Sequence, residues 1–249
     1  MIRFIYESLL LDVKEDMSRY LTTLKTLYFI DLLKLAKKRF SWVEISGLLN
    51  ESPTVLSRYL HGHVLPNPRK VDKMIPILEK LIDLRSIVIS KIKRDKRGFI
   101  NNQYLISDIN LLKLLALKFS WQFKDKVDIV FSPAADGIPF ATLVAEYTGT
   151  NIVIVKNRRE VGVQDFIEGV HITEDGQIET LYFPRKLIRK NYRVLIVDDV
   201  IRTGETHKTI VDMVDRAKAK VVSILVILAV GNRWRSVLKD VPVTYIAHI

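Results

Sequence analysis

One stretch near the end of the chain joins an apolar run to two adjacent acids, Val194-Leu-Ile-Val-Asp-Asp-Val-Ile-Arg-Thr-Gly-Glu-Thr206. The apolar run before Asp198 predicts a strand that is buried on both faces, as strands of parallel sheets are. Because Gly204 can adopt positive φ, a tight turn is expected there, and the residues from Thr206 to Asp215 predict a helix. A buried strand, a turn and a helix in this order are typical of an α/β fold.

The turn before the predicted helix is suited to bind a phosphate group. Unpaired backbone N–H groups and the positive end of the helix dipole point at the same place there. On the same ligand, the carboxylates of Asp198 and Asp199 can accept hydrogen bonds from ribose hydroxyls, with Mg²⁺ nearby. The alternative is a surface turn between a strand and a helix, with a solvated acid pair.

The whole segment resembles the ribose-phosphate signature of type I phosphoribosyltransferases, which bind 5-phosphoribosyl-1-pyrophosphate (PRPP). The strand, the acid pair, the Thr-Gly-x-Thr loop and the helix occur in the family's order, although Arg202 stands where a small residue is common. The resemblance implies Mg²⁺ bound together with PRPP, and no side chain can be assigned as a direct metal ligand. The implied ribose-phosphate residues are Asp198, Asp199, Val200, Ile201, Arg202, Thr203, Gly204, Glu205 and Thr206.

A second loop, Ser132-Pro-Ala-Ala-Asp-Gly-Ile-Pro139, follows the predicted strand Val127–Phe131. Small residues at the carboxyl end of a strand let the backbone approach a ligand closely. The loop resembles the pyrophosphate loop of the same family, and Lys156 and Arg158, after the next predicted strand, resemble its basic pyrophosphate-binding residues. A plain connector is the alternative. The implied pyrophosphate-binding residues are Ala134, Ala135, Asp136, Gly137, Lys156 and Arg158.

The expected fold of residues 99–249 is α/β, a type I phosphoribosyltransferase fold with a central, mainly parallel sheet and a flap hairpin. Residues 164–183 predict the hairpin, which turns at 174–176 and corresponds to the mobile flap of the family. No catalytic residue can be assigned, because the flap lacks the Lys- and Gly-rich pattern of an orotate enzyme. The other predicted elements are strands at 194–198, 220–228 and 243–248 and a helix at 205–217.

The first two-fifths of the chain predict only helices. Ser41 and Glu44 form a capping box ahead of the predicted helix Trp42–Leu49. Ser52 caps the next predicted helix, Pro53–Leu60, whose first residue is a favourable proline. Two short helices joined by so brief a turn resemble the repressor-type helix-turn-helix unit. A small helical bundle that contacts other proteins is the alternative.

In this resemblance the second helix is the recognition helix, and Asn50 replaces the usual glycine of the turn because it tolerates the left-handed conformation. The net charge supports a nucleic-acid partner: it is +11, and residues 1–98 hold 19 Lys and Arg against 11 Asp and Glu. We therefore expect double-stranded DNA as a partner, bound by a homodimer on a palindromic site. The candidate DNA-binding residues are Ser52, Thr54, Ser57 and Arg58.

Gly98 is the expected boundary between an all-α domain, residues 1–98, and the transferase-like domain, residues 99–249. The basic linker Lys91–Arg97 before it is either solvated or a second contact to the phosphate backbone. The longest apolar run, Val221–Val230, is far shorter than the ~20 residues of a membrane span. The chain has no cysteine, which excludes disulfides and thiolate zinc sites and fits the cytoplasm.

The combination of the two domains resembles the archaeal GfcR-type regulators, whose effector domain is similar to orotate phosphoribosyltransferase. It also resembles bacterial purine repressors that sense PRPP. The implied function is a cytoplasmic transcriptional regulator, not an enzyme, that binds PRPP or a competing nucleotide and changes its hold on DNA. One alternative is an active transferase that converts a nucleobase and PRPP to a nucleotide and pyrophosphate. Another is a DNA-binding module whose transferase fold only dimerises, which the intact acid pair disfavours.

Overall fold

The chain divides into two compact units, Met1–Asp83 and Leu84–Ile249. The computed structural model describes residues 2–96, 100–173 and 176–249, with side chains from residue 19 onward. Gly98, the expected domain boundary, lies outside the described residues, and so do two residues of the predicted flap turn, Glu174 and Asp175. The structural division falls before Leu84, so residues 84–96, which the sequence analysis assigned to the helical domain, belong to the second unit.

In its described residues the first unit contains only helices, and capping residues set the ends of the two short ones. Ser41 and Glu44 form the predicted capping box, and the Ser52 hydroxyl accepts a hydrogen bond from the Val55 N–H at 3.3 Å. Asn50 adopts the left-handed conformation, with φ 50°. These local signals explain why both helices begin and end where the sequence predicts. The helices are α1 (Ile2–Lys37), α2 (Trp42–Leu49), α3 (Pro53–Leu60) and α4 (Pro68–Leu81).

The core of the first unit forms where α1 packs against α3 and α4. The Tyr28 hydroxyl donates to the Glu79 carboxylate at 2.5 Å, and the ring of Phe29 meets Tyr59 edge to face at 6.3 Å. Leu27, three residues after the buried Leu24, is itself 41% exposed. The buried side chains of α1 include Leu24, Tyr28, Phe29, Leu32, Leu33 and Ala36.

The second unit is an α/β domain with a five-stranded parallel sheet and a separate hairpin, which confirms the predicted fold class. The sheet order is β4-β3-β7-β8-β9. Among the described residues, no helix is both long and apolar enough to cross a membrane. The elements are α5 (Leu84–Ser90), β1 (Lys93–Arg94), β2 (Ile100–Asn101), α6 (Gln103–Ile106), α7 (Ile109–Ser120), β3 (Ile129–Pro133), α8 (Ile138–Thr148), β4 (Asn151–Val155), β5 (Phe166–Ile172), β6 (Ile178–Pro184), β7 (Arg193–Ile201), α9 (Glu205–Arg216), β8 (Lys220–Ala229), α10 (Arg233–Val237) and β9 (Val243–His248).

Strand β7 is the centre of this sheet, with β3 on one side and β8 on the other. The strand continues to Ile201, so Asp198 and Asp199 lie inside it, and the prediction that it ends at the acids is corrected. The ladder to β8 continues past the acids, pairing Asp198 with Val226 and Ile201 with Ala229. The acid pair is therefore held by a rigid, buried strand.

The hairpin of β5 and β6 lies against α9 and is joined to the end of β4. Lys156 and Tyr182 exchange backbone hydrogen bonds of 2.9 and 2.7 Å, which fixes the base of the hairpin. Gly169 faces α9 so closely that a Cβ atom there would lie 2.6 Å from Thr209 Cγ2 and 2.7 Å from Met213 Cγ. The absence of a side chain at Gly169 thus lets the hairpin pack on the helix.

We predict that Gly169→Ala loosens this packing. Its methyl group overlaps Thr209 and Met213, and overpacking of this kind destabilises a fold by about 1–3 kcal/mol. Urea unfolding should show the loss, and amide exchange should rise in β5 and β6. The matched control is Gly162→Ala, since a Cβ atom at Gly162 meets nothing within 4 Å. Equal stability of the two variants would contradict the prediction.

Candidate ligand-binding site

A cleft opens at the carboxyl ends of the parallel strands, the usual place for ligands in open α/β sheets. It consists of two adjoining cavities of about 420 and 280 Å³. The first lies over the loop between β7 and α9, and the second lies over the loop after β3. Both are lined by Asp136, Glu179, Asp198, Asp199 and Thr206.

The loop from β7 to α9 forms one wall of the first cavity, as the sequence predicts. Gly204 adopts φ 85° and directly precedes the helix, and the Glu205 N–H donates to the Thr203 hydroxyl at 3.4 Å. Ile201 differs from its neighbours, because it is fully buried and does not line the cavity. The predicted loop residues that do line it are Val200, Arg202, Thr203, Gly204, Glu205 and Thr206.

Asp198 and Asp199 are brought together at the floor of the cleft and are both buried. The Asp199 N–H donates to Asp198 Oδ1 at 2.9 Å. Burial raises the pKa of Asp198 to about 7, with a further contribution from the charge of Asp136. Burial and the neighbouring Asp198 charge raise the pKa of Asp199 to about 8. Removing two carboxylates from water disfavours their ionised forms, so a cation or a ribose hydroxyl at this floor would stabilise them.

Asn102, which directly follows β2, contacts the acid pair and was not identified from the sequence. Its side-chain N–H₂ group donates to Asp199 Oδ2 and lies 3.5 Å from Asp136 Oδ2. This hydrogen bond lowers the pKa of Asp199 and opposes part of the effect of burial. No motif marks Asn102, because the contact joins residues that lie far apart in the chain.

Two histidines at the cleft were also missed. His171, on the hairpin, is buried, and its Nε2 atom lies 3.4 Å from the Thr206 hydroxyl and 3.4 Å from Glu179 Oε2. His207, on α9, is buried with Nε2 3.1 Å from Asp198 Oδ2 but without hydrogen-bond geometry. Burial lowers the pKa of His207 to about 4, so its ring is neutral at physiological pH.

The loop after β3 contributes small residues and one acid to the second cavity. Ala134, Ala135 and Asp136 line it, and the peptide bond between the two alanines is cis. Gly137 does not line either cavity. A Cβ atom at Gly137 would lie 2.3 Å from Asp198 Oδ1, so this glycine lets the loop approach the acid pair.

The two basic residues predicted for the pyrophosphate, Lys156 and Arg158, are not brought into the cleft. Lys156 forms an ion pair with Glu160, and Arg158 is exposed outside both cavities. Asn157 lines the second cavity in their place and donates to Glu179 Oε1 at 3.2 Å. A pyrophosphate contact by these two side chains stays a prediction.

The donors at the cleft suit Mg²⁺, which prefers carboxylate oxygens and is commonly held by one or two carboxylates together with the phosphates of a substrate. Asp136, Asp198 and Asp199 offer such oxygens. Within the part of the chain that the structure describes, no group of three or more His, Asp or Glu residues is arranged to hold a metal alone. A metal at this site would therefore need ligand oxygens as well.

The four candidate DNA-binding residues lie at the start and along one side of α3, in the first unit. Thr54 and Arg58 are exposed, Ser57 is half-buried, and Ser52 is exposed while it caps the helix. Tyr59, on the opposite side, is buried against Phe29. Thr54 and Arg58 are thus available for contact with a partner.

Residues 102–245 match the family of the phosphoribosyl transferase domain. This match covers more than half of the chain, which therefore belongs to that family, as the resemblance of its motifs implied. The first unit lies outside the matched region.

Individual relatives include both enzymes and a repressor. The chain is 29% identical over 138 residues to adenine phosphoribosyltransferase of Clostridium novyi, a match covering 55% of this chain and 79% of the relative. It is 23% identical over 133 residues to the purine biosynthesis transcriptional repressor PurR of Bacillus subtilis, a match covering 53% of this chain and 47% of the repressor. Adenine phosphoribosyltransferase from Thermoanaerobacter pseudethanolicus superposes with a TM-score of 0.60 at 18% identity over 66% of this chain and 99% of that one, which shows the shared fold.

We predict that the acid pair makes stability fall as pH rises. The raised pKa of Asp199, about 8 against 3.8 when unfolded, means that the folded state holds a proton the unfolded state has lost. Stability is then lost as pH rises toward the folded pKa. His207 acts oppositely, but mainly below its unfolded pKa of 6.5. Between pH 6.5 and 8, the free energy of unfolding should therefore fall by about 1–2 kcal/mol more in the wild type than in the Asp199→Asn variant.

Urea unfolding at both pH values provides the measurement. Asp240→Asn is the matched control, because Asp240 is exposed on the surface and makes the same chemical change. A wild type and an Asp199→Asn variant that lose the same stability over this range would show that Asp199 is ionised in the folded protein.

Proposed function

We propose that the chain is a DNA-binding transcriptional regulator that senses PRPP, or a nucleotide competing with it, through the cleft of the second unit. The proposal rests on the presence, in one chain, of a capped helix pair with exposed residues and of a cleft that contains the acid pair and the loop of the ribose-phosphate motif. The site keeps the buried acid pair and the loop at the start of α9. Mg²⁺ would accompany the ligand, because the acids need a compensating cation.

The DNA-binding role rests on α2 and α3. Their caps and the left-handed turn at Asn50 resemble the repressor-type helix-turn-helix, and Thr54 and Arg58 are exposed on the second helix. The positive charge concentrated in residues 1–98 favours a polyanionic partner. Each recognition helix reads one half-site, so we propose that a homodimer binds a palindromic operator. We propose a cytoplasmic location with access to DNA and an assignment to the archaeal GfcR-type regulators.

A specific observation favours the second candidate, an active phosphoribosyltransferase. Similar proteins include adenine and xanthine phosphoribosyltransferases, and the acid pair is intact. In such an enzyme the protein mainly positions PRPP, its metal and the base. Pyrophosphate release from PRPP, Mg²⁺ and any common nucleobase would favour this reading over the regulator.

We predict that the ligand and the operator change each other's affinity by the same factor. Binding free energies are linked reciprocally, and a ligand shifts an equilibrium only if it binds the two states differently. The measurements are titrations of PRPP and of 5′-nucleotides with and without operator DNA, and of operator with and without ligand. Asp198→Asn combined with Asp199→Asn should abolish the ligand's effect and leave DNA affinity intact, because each hydrogen bond to a charged group contributes about 1.5–3 kcal/mol. If neither PRPP nor any 5′-nucleotide changed the operator affinity of the wild-type protein, the proposed regulator function would be contradicted.

We predict that Arg58→Ala weakens operator binding and leaves ligand binding unchanged. If Arg58 reads a base, the loss is about 1–3 kcal/mol and specificity relaxes at one position; if it contacts phosphate, the salt slope falls by about one. Fluorescence anisotropy over a range of salt concentrations distinguishes the two. Arg39→Ala is the matched control, since Arg39 is likewise exposed but follows α1 and is not part of the proposed recognition helix. The same loss in both variants would show a general charge effect instead.

A further inference from the structure

The side chain of Asn102 reaches the floor of the cleft from the segment that directly follows the first unit, residues 84–102, here called the connector. The structure describes the connector at 84–96 and 100–102. Its last part, which includes Ile100 and Asn102, lines the first cavity. The Asn102 N–H₂ group donates to Asp199 Oδ2 and lies 3.5 Å from Asp136 Oδ2. A side chain of the connector thus contacts two carboxylates of the ligand site.

The connector contains a short antiparallel ribbon that is anchored before its first strand and after its second. The ribbon consists of β1 and β2, which pair Lys93 with Asn101. Before the ribbon, Lys91 forms an ion pair of 2.8 Å with Asp108. Directly after the ribbon, Asn102 is bound to the acids of the cleft. Because a two-stranded ribbon is only marginally stable by itself in water, its position depends on these anchors.

A ligand that reaches Asp199 competes with the Asn102 amide. Asp199 is only 6% exposed, so few directions of approach to its carboxylate remain. Asn102 lines the first cavity, which is the side open to a ligand. Its N–H₂ group donates to a carboxylate as a ribose hydroxyl does. A cation shared by Asp136 and Asp199 would need the space that this group fills. Hydroxyls or a cation at these two acids must therefore displace the amide.

We propose that Asn102 is a positioning residue that a phosphoribosyl ligand displaces from Asp199, so that occupation of the cleft moves the connector. Without ligand, the amide holds the end of β2 at the cleft. When ribose hydroxyls or Mg²⁺ take its place, β2 is released and shifts together with its partner β1. The segment from Leu84 to β1 directly follows the first unit, so the displacement is passed toward that unit. The inference rests on the proposed function, because it names how the ligand site acts on the rest of the chain.

The first test is isothermal titration calorimetry of the full chain with ribose 5-phosphate and with PRPP, each with Mg²⁺ and without DNA. Asn102→Ala should bind both about tenfold more tightly than wild type, because no hydrogen bond to Asp199 has to be broken first. Asn101→Ala is the matched control, since Asn101 is exposed on the same strand and accepts from the Gln103 N–H instead of contacting an acid. Equal or weaker binding by Asn102→Ala than by the control would overturn the proposal.

The second test observes the amide itself in protein labelled with ¹⁵N at asparagine. The side-chain resonance of Asn102 is identified by its absence from the Asn102→Ala spectrum. Its N–H₂ group should exchange slowly with water in protein without ligand, and faster once ribose 5-phosphate and Mg²⁺ are added. Exchange that stays the same or slows on addition of the ligand would overturn the proposal, because it would show that the amide stays bound.

The third test concerns the connector. In Asn102→Ala the ligand should change operator affinity less than in wild type, because the anchor at the cleft is already lost. An equal effect in both proteins would overturn the transfer of the displacement through the connector. The first two tests use no DNA, so their failure would refute the displacement of Asn102 even in a proven regulator. A displaced amide in a chain that binds no operator would instead contradict the proposed function.

Discussion

The burial of two adjacent carboxylates inside β7 is the constraint around which the second unit is arranged. Charged groups removed from water need compensating contacts, and buried acids without them shift toward the protonated form. The surroundings supply two, the hydrogen bonds donated by the Asp199 N–H and by the Asn102 amide. These contacts offset only part of the cost, since the pKa of each acid remains raised. A ligand that brought a cation or hydroxyl donors to the floor of the cleft would complete this compensation.

A buried histidine connects the hairpin to the start of α9. His171 on β5 lies between Glu179 on β6 and Thr206 at the start of α9. The hairpin can hold His171 there because Gly169, two residues earlier on the same side of the strand, lets β5 pack directly on α9. A ligand at the loop would therefore meet the hairpin as well as the loop, and packing far from the ligand sets that contact.

Local signals predicted much of this structure and failed where contacts are distant. Capping residues gave the ends of α2 and α3, and apolar runs gave the parallel strands, because both depend on neighbours in sequence. Asn102 and His171 carried no signal, since their partners lie on other elements. The end of β7 was misplaced because acids normally end a buried strand, whereas here the ladder to β8 continues past them. The loop after β7 could be located from the sequence because its residues are contiguous.

Lys156 stands at the position that the family resemblance marks, and in this structure its side chain pairs with Glu160 outside the cleft. A basic residue at the end of β4 fits the motif, yet the alternation of side chains directs Asn157 into the cleft and Lys156 away from it. Which of two consecutive residues faces the cavity thus decides whether its lining gains a charge. The loop after β7 does not depend on this alternation, because a phosphate there would contact backbone groups and a helix terminus. The two sides of the cleft therefore ask different things of the sequence: the side formed after β3 and β4 depends on which side chains face inward, and the loop after β7 depends on a backbone conformation that Gly204 allows.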